Sequence, residues 1–87
     1  MHLGIYRFDG DPDELLAAYD RLAASMSVSS DVHLCVRRAD GITIYDTCPS
    51  QEVFERFSQS SGFRSALAAA GLPEPRIEGV PVHSSRP

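Results

Sequence analysis

Val32-His33-Leu34-Cys35-Val36-Arg37-Arg38-Ala39-Asp40-Gly41-Ile42-Thr43-Ile44-Tyr45-Asp46-Thr47-Cys48 is the stretch that decides how this chain folds. Val32–Arg38 and Ile42–Cys48 are rich in β-branched and apolar residues, and Ala39-Asp40-Gly41 between them is a turn signal, so the stretch reads as a β-hairpin. A two-residue Asp40-Gly41 turn sets Val36 opposite Tyr45 and Leu34 opposite Thr47. A three-residue loop, with Gly41 left-handed in a G1 bulge, sets Val36 opposite Ile44 and Arg37 opposite Thr43. Only the second register gathers Val32, Leu34, Val36, Ile42 and Ile44 on one face, and it is the expected one. It turns His33, Cys35, Arg37, Thr43, Tyr45 and Thr47 to the other face. That set is too aromatic for bare solvent and too polar for an ordinary core. The same register puts Cys35 and Cys48 on opposite faces, where they cannot bridge within one chain.

Working outward, Asp11-Pro12-Asp13-Glu14 is a helix start. Asp11 caps, Pro12 takes the first helical position, Glu14 completes a capping box, and the acids complement the positive helix end. Leu15, Leu16, Tyr19, Leu22, Ala23 and Met26 then mark one helical face, which ends in the Ser27–Asp31 stretch. Leu3–Phe8 before it reads as a strand. After the hairpin, Pro49-Ser50 opens a second helix that buries Val53, Phe54 and Phe57. Ser58–Gly62 interrupts it polarly, and it resumes through Phe63, Ala66, Leu67 and Ala70 to stop at Gly71. Arg76–His83 is a last extended segment, in which Pro81 requires an edge position or a bulge.

The order β-α-β-β-α-β, with right-handed crossovers, predicts an α+β ferredoxin-like sandwich: an antiparallel four-stranded sheet with two helices on one face. Two helices leave the other sheet face bare, so the expected partner is a second copy of the chain. A standard stable interface buries about 1,200–2,000 Å² in total.

The 87 residues predict a single domain over 1–87. The chain is 43% apolar and 23% charged, the composition of an ordinary globular domain. Eight Arg and no Lys against twelve acids leave a net charge of −4, with no basic run. That balance argues against nucleic acid or an anionic membrane as partner. Five acids among the first twenty residues argue against a signal peptide, and the uncharged stretch Ser65–Pro73 is far shorter than a membrane span. Two Cys make no disulfide scaffold. The expected setting is cytoplasmic.

Cys48-Pro49-Ser50-Gln51-Glu52-Val53-Phe54-Glu55-Arg56-Phe57-Ser58-Gln59-Ser60-Ser61-Gly62-Phe63 resembles the W-x-S-x-x-x-F-x-x-W/H-x-x-S-x-x-F run of the antibiotic biosynthesis monooxygenase superfamily, whose members are small dimeric α+β barrels. Ser50, Phe54, Ser60 and Phe63 match that run. Cys48 stands at its Trp, Phe57 where haem-degrading members have a pocket Trp, and Leu67 where they carry a His. Leu67 cannot ligate iron, so the resemblance implies no haem cleavage and no bound cofactor. It implies instead oxidation of an activated aromatic or apolar metabolite, whose own electrons drive the reaction while the protein encloses it and handles protons.

The residues themselves offer a ligand cavity between sheet and helices, bounded by Tyr19, Ile44, Phe54, Phe57, Phe63 and Leu67, with Asp46 and Cys48 nearby and Ser58–Gly62 as its mouth. The competing expectation is that the phenylalanines simply fill the space. Tyr6, Tyr45, His33 and Arg37 are either a polar pocket able to orient a phenolate or part of the face that packs on the second copy. His2, His33, Asp46, Cys48 and His83 fall at one end of the sheet. With His33 and Asp46 on opposite faces and no i, i+4 pair, they predict no metal site. RNA-binding aromatic strands, a C-x-x-C loop and a basic phosphate loop are all missing. The alternative to an enzyme is a non-catalytic dimeric module that binds a ligand or another protein, because no acid–base pair or nucleophile triad is visible in the sequence.

Overall fold

A computed structural model describes residues 1–26 and 30–86. Its elements run β1 (His2–Asp9), α1 (Pro12–Ser25), β2 (His33–Arg38), β3 (Gly41–Cys48), α2 (Gln51–Ser58), α3 (Ser61–Ala70) and β4 (Arg76–Pro81). The strands form one antiparallel sheet in the order β2-β3-β1-β4. The chain is thus α+β, with three helices among the described residues. No helix of the described residues is long and apolar enough to cross a membrane.

The helix ends follow from side-chain chemistry. Asp11 accepts from the Asp13 amide at 3.4 Å, a long cap, with Pro12 at the first helical position. α1 closes at Ser25 with Met26 as its cap. Part of the Ser27–Asp31 stretch expected to end it, residues 27–29, lies outside the described residues. Ser50 caps α2 through the Val53 amide at 3.2 Å, and Ser60 caps α3 through the Phe63 amide at 3.1 Å. The second cap explains why the expected single interrupted helix is two helices: Ser60 supplies a fresh start. Gly71, at φ 91°, ends α3. The amide of Leu72 reaches Leu67 O and that of Gly71 reaches Ala68 O, a Schellman closure. Pro81 terminates an edge strand, where its missing amide costs no ladder bond.

The hairpin register differs from the expected one. Arg38 pairs with Gly41, Val36 with Thr43, Cys35 with Ile44 and His33 with Asp46, so the loop is Ala39-Asp40 alone. Gly41 is a strand residue and is not left-handed. Glycine is required there because a Cβ would fall 2.0 Å from the Phe8 carbonyl oxygen. Arg38 fastens this corner, donating to Phe8 O, Ile42 O, the Thr43 hydroxyl and the Asp40 carboxylate.

A one-residue slip exchanges the faces of one strand relative to its partner. His33, Cys35 and Arg37 therefore lie on the helix side, with Ile42 and Ile44. His33 bonds to Tyr19 of α1, Arg37 pairs with Asp13 at the start of α1, and Cys35 packs on the core. Thr43, Tyr45 and Thr47 alternate onto the opposite face with Leu34 and Val36. The six residues expected to share one face are thus divided between two. The apolar set is divided as well: Leu34 and Val36 are 54% and 40% exposed, while Phe8 and Ile42 are wholly buried. β2 is an edge strand, and the helix side already has its apolar cover from β1 and β3. Apolar side chains of α1 (Leu15, Ala18, Leu22), α2 (Phe54) and α3 (Phe63, Leu67) complete that core against Tyr6, Phe8, Ile42 and Ile44.

Candidate functional site

Toward the starts of β1 and β2 the helix-side core opens. A cavity of about 280 Å³ lies between α1, the sheet and the start of α2, with Leu22, Met26, Ile44, Val53, Phe57 and Phe63 as apolar walls. Its size is near the lower end for small-molecule sites.

Its first polar feature joins three elements, α1, β2 and β3. His33 and Asp46 are direct cross-strand partners, and such side chains stand about 5 Å apart at Cβ. His33 Nδ1 lies 3.1 Å from Asp46 Oδ1, and Nε2 lies 2.7 Å from the Tyr19 hydroxyl. A carboxylate only accepts, so in the neutral imidazole Nδ1 carries the hydrogen and donates to Asp46. Nε2 then accepts from Tyr19 O–H. The Tyr19 and His33 rings also stack, 6.0 Å between centroids and 19° from parallel. Ser30 donates a further hydrogen bond to Asp46 Oδ1. The result is a directed array, Tyr19 to His33 to Asp46, on the wall of an apolar cavity. Burial, then the neighbouring charges of Cys35, Asp20 and Asp46, raises the Tyr19 pKa. Tyr19 is therefore a phenol that needs a base before it can accept a proton, and His33 is placed to be that base.

Tyr6, from β1, is the second polar feature. It is 2% exposed, lines the same cavity, and its hydroxyl has no hydrogen-bond partner. The hydroxyl lies over Gly4, where a Cβ would approach it to 2.9 Å, so only glycine leaves room for it. Burial first, then the charges of Cys48 and Asp46, pushes its pKa well above the ordinary tyrosine range. The hydroxyl itself is closed off beside Gly4 and Phe54, neither of which lines the cavity. Burial and Asp46 also raise the Cys48 thiol, and burial and Asp20 that of Cys35, so neither is a poised thiolate.

Of the residues expected to bound a ligand site, Tyr19, Ile44, Asp46, Cys48, Phe57 and Phe63 line this cavity. Phe54 instead packs under β1 against His2 and Tyr6, and Leu67 lines a second, shallower depression toward β4. No residue of Ser58–Gly62 lines the cavity, so the expected mouth is elsewhere; the lining runs through Met26, Ser30 and Pro49. Of the expected polar pocket, Tyr6 and His33 line the cavity and Arg37 and Tyr45 do not. His33 and Asp46 share a face, contrary to the expected register. Even so, among the described residues no group of three His, Cys, Asp or Glu side chains is arranged to hold a metal.

The pairing of His33 with Asp46 and the lack of a partner for the Tyr6 hydroxyl are the features that sequence reasoning missed. The first follows from the register alone. The only sequence signal for the second was an aromatic phenol two positions from a glycine in β1. No protein-family model matches the chain, and no curated protein matches it.

Proposed function

We propose that this is a ferredoxin-like βαββαβ protein of the dimeric α+β barrel type. In this reading it binds an aromatic or apolar metabolite in the cavity and oxidises it with dioxygen and no bound cofactor, as the monooxygenases it resembles do. The observation that carries the reading is the Tyr19–His33–Asp46 array on an apolar wall. A phenolic substrate gives its proton to Tyr19 as Tyr19 passes its own to His33 Nε2, and Asp46 offsets the imidazolium charge. Positioned proton transfer of this kind contributes about 10²–10⁴-fold. The electron-rich anion then reduces dioxygen: one oxygen atom enters the ring and the other leaves as water.

The test uses 1-naphthol, a two-ring phenol. One equivalent of dioxygen converts it to 1,4-naphthoquinone and water. The expected result is oxygen uptake matched by quinone, reduced about 100-fold or more in His33→Ala. Binding of 1-naphthol without oxygen uptake by the parent protein means a non-catalytic binding module instead.

The second copy is part of the same proposal. Leu34 and Val36 stand exposed on the helix-free face beside Tyr45, an apolar strip that a partner sheet can cover. Sedimentation equilibrium at micromolar concentration is expected to give twice the 9.5 kDa chain mass. A Leu34→Glu change is expected to return it to the monomer value. A parent protein that sediments as a monomer removes this part of the proposal.

A further inference from the structure

The strong side-chain donors among the residues that line the cavity are spent within the protein. Neutral His33 gives its Nδ1 hydrogen to Asp46, Tyr19 gives its O–H to His33 Nε2, and Ser30 gives its own to Asp46. Thr47 Oγ1 donates to the Val32 carbonyl at 3.4 Å. The Tyr6 hydroxyl is closed off beside Gly4 and Phe54, and the Cys48 thiol is only a weak donor. Among the described residues no lining side chain is an Arg or Lys, so none offsets the charge of an anion. What Tyr19 leaves free is the lone pairs of an oxygen 2.7 Å from His33, where two rings that both line the cavity meet. With His33 neutral, the cavity accepts a ligand's hydrogen bond but has no strong donor to offer one.

Protonation of His33 reverses this. Nε2 gains a hydrogen, the Tyr19 oxygen accepts it, and the Tyr19 O–H is released for a ligand. Asp46 stays on Nδ1 at 3.1 Å, now as an ion pair. We infer that the cavity has a second class of ligand, neutral aryl carbonyl compounds of about two fused rings, which it binds with proton uptake at His33, while phenols of the same shape bind with proton release. This rests on the reading of the cavity as a ligand site but needs no chemical step. Histidine is the side chain that changes charge between about pH 5 and 8. The titratable groups around it are Tyr19 and Asp20 of α1, Cys35 of β2, and Asp46 and Cys48 of β3, while Asp31 just before β2 is exposed. The helices α2 and α3 bring only apolar side chains to the lining, Val53, Phe57 and Phe63. Burial above all raises Tyr19, Cys35 and Cys48, so these three keep their protons across that range. A quinone is a carbonyl compound, so acid favours the product of the proposed oxidation over its substrate.

The test measures binding by calorimetry in oxygen-free buffers of different ionisation heat, at about pH 5 and about pH 8. 1-Acetylnaphthalene is expected to bind about tenfold more tightly at the lower pH and to take up protons, the fold-change of one hydrogen bond. 1-Naphthol is expected to bind about tenfold more tightly at the higher pH and to release protons. Naphthalene, with no polar atom, is expected to bind alike at both. In His33→Gln and in Tyr19→Phe the two pH dependences are expected to vanish while naphthalene still binds. If a variant loses naphthalene, the opposed proton changes of the parent protein decide alone. The same pH dependence for both polar ligands, or none, overturns the inference, and so does its survival in Tyr19→Phe. Opposed dependences without oxygen uptake on 1-naphthol keep this inference and remove the oxidation; oxygen uptake without opposed dependences does the reverse. A parent protein that binds none of the three compounds ends both.

Discussion

The two ends of the same sheet face are built differently. Near the β2–β3 turn, Phe8 and Ile42 are completely buried, and the backbone corner beside them is tied by Arg38 from the helix-free face. Four residues along the same strands, Gly4 and Asp46 pair across β1 and β3, and the space above them holds a cavity edged by Tyr6, Asp46 and Cys48. The filled end follows ordinary core rules: it is apolar and close-packed, and the arginine that ties its backbone corner is fully hydrogen-bonded. The hollow end keeps a hydroxyl without a partner and a Tyr–His–carboxylate line that joins α1, β2 and β3 through polar contacts. The difference teaches that close apolar packing is concentrated at the turn end, while the other end is joined by polar contacts around a space.

The largest effect that can break this comparison is at the filled end. Phe8→Ala is expected to lose about 3–5 kcal/mol, read as a shifted urea midpoint. Phe57→Ala, half-buried on the cavity wall, is expected to lose only about 1–2 kcal/mol while weakening naphthalene binding. Equal losses at the two positions mean that the cavity is ordinary core.

Next comes Tyr6→Phe. Removing an unpartnered hydroxyl is expected to leave stability at neutral pH unchanged or raise it by about 1 kcal/mol. Its clearer signature is alkaline. The folded Tyr6 pKa is raised above the unfolded value of 10.0, so above pH 10 the unfolded state loses a proton that the folded state keeps. The unfolded state then binds fewer protons and stability falls as pH rises, with the contribution intact below pH 10. Urea midpoints measured from pH 8 to 11 are expected to decline less steeply in Tyr6→Phe than in the parent. Identical slopes would place the hydroxyl in water.

The smallest effect lies at the rim of the filled end. Because the Asp11 cap is long, at 3.4 Å, Asp11→Ala is expected to cost about 0.5 kcal/mol, the low end for caps. Ser60→Ala, which removes a 3.1 Å cap, is expected to cost about 1 kcal/mol. A reversed order of the two midpoints breaks the link between cap length and strength drawn here.

The elements were legible because their signals are local. Pro12 after Asp11, Ser50 and Gly71 mark helix ends through their own backbone chemistry, and the edge position of Pro81 follows from its missing amide; Ser60, read only as part of a polar interruption, caps a separate helix. The register was not legible, because counting apolar residues on one face is a weak guide on an edge strand. Leu34 and Val36 tip that count, yet the sheet turns both away from the helices. What fixes the register is non-local: the carbonyl of Phe8 against Gly41, and Arg38 reaching both Phe8 and Ile42. Tyr19, Ile44 and Phe57 could be placed at the cavity because helix period and strand membership suffice for them. His33 could not, since a slip of one residue moves it from the open face to the partner of Asp46.

The tautomer of His33 tests this account most directly. In long-range ¹H–¹⁵N spectra of the neutral imidazole, with His2 and His83 distinguished by a His33→Gln variant, the hydrogen is expected on Nδ1. The Nε2 shift should move further toward that of a free, unbonded nitrogen when Tyr19→Phe removes its donor. A neutral His33 protonated on Nε2 contradicts the account: Asp46 then does not hold the ring, Tyr19 has no base, and the site loses its proton acceptor.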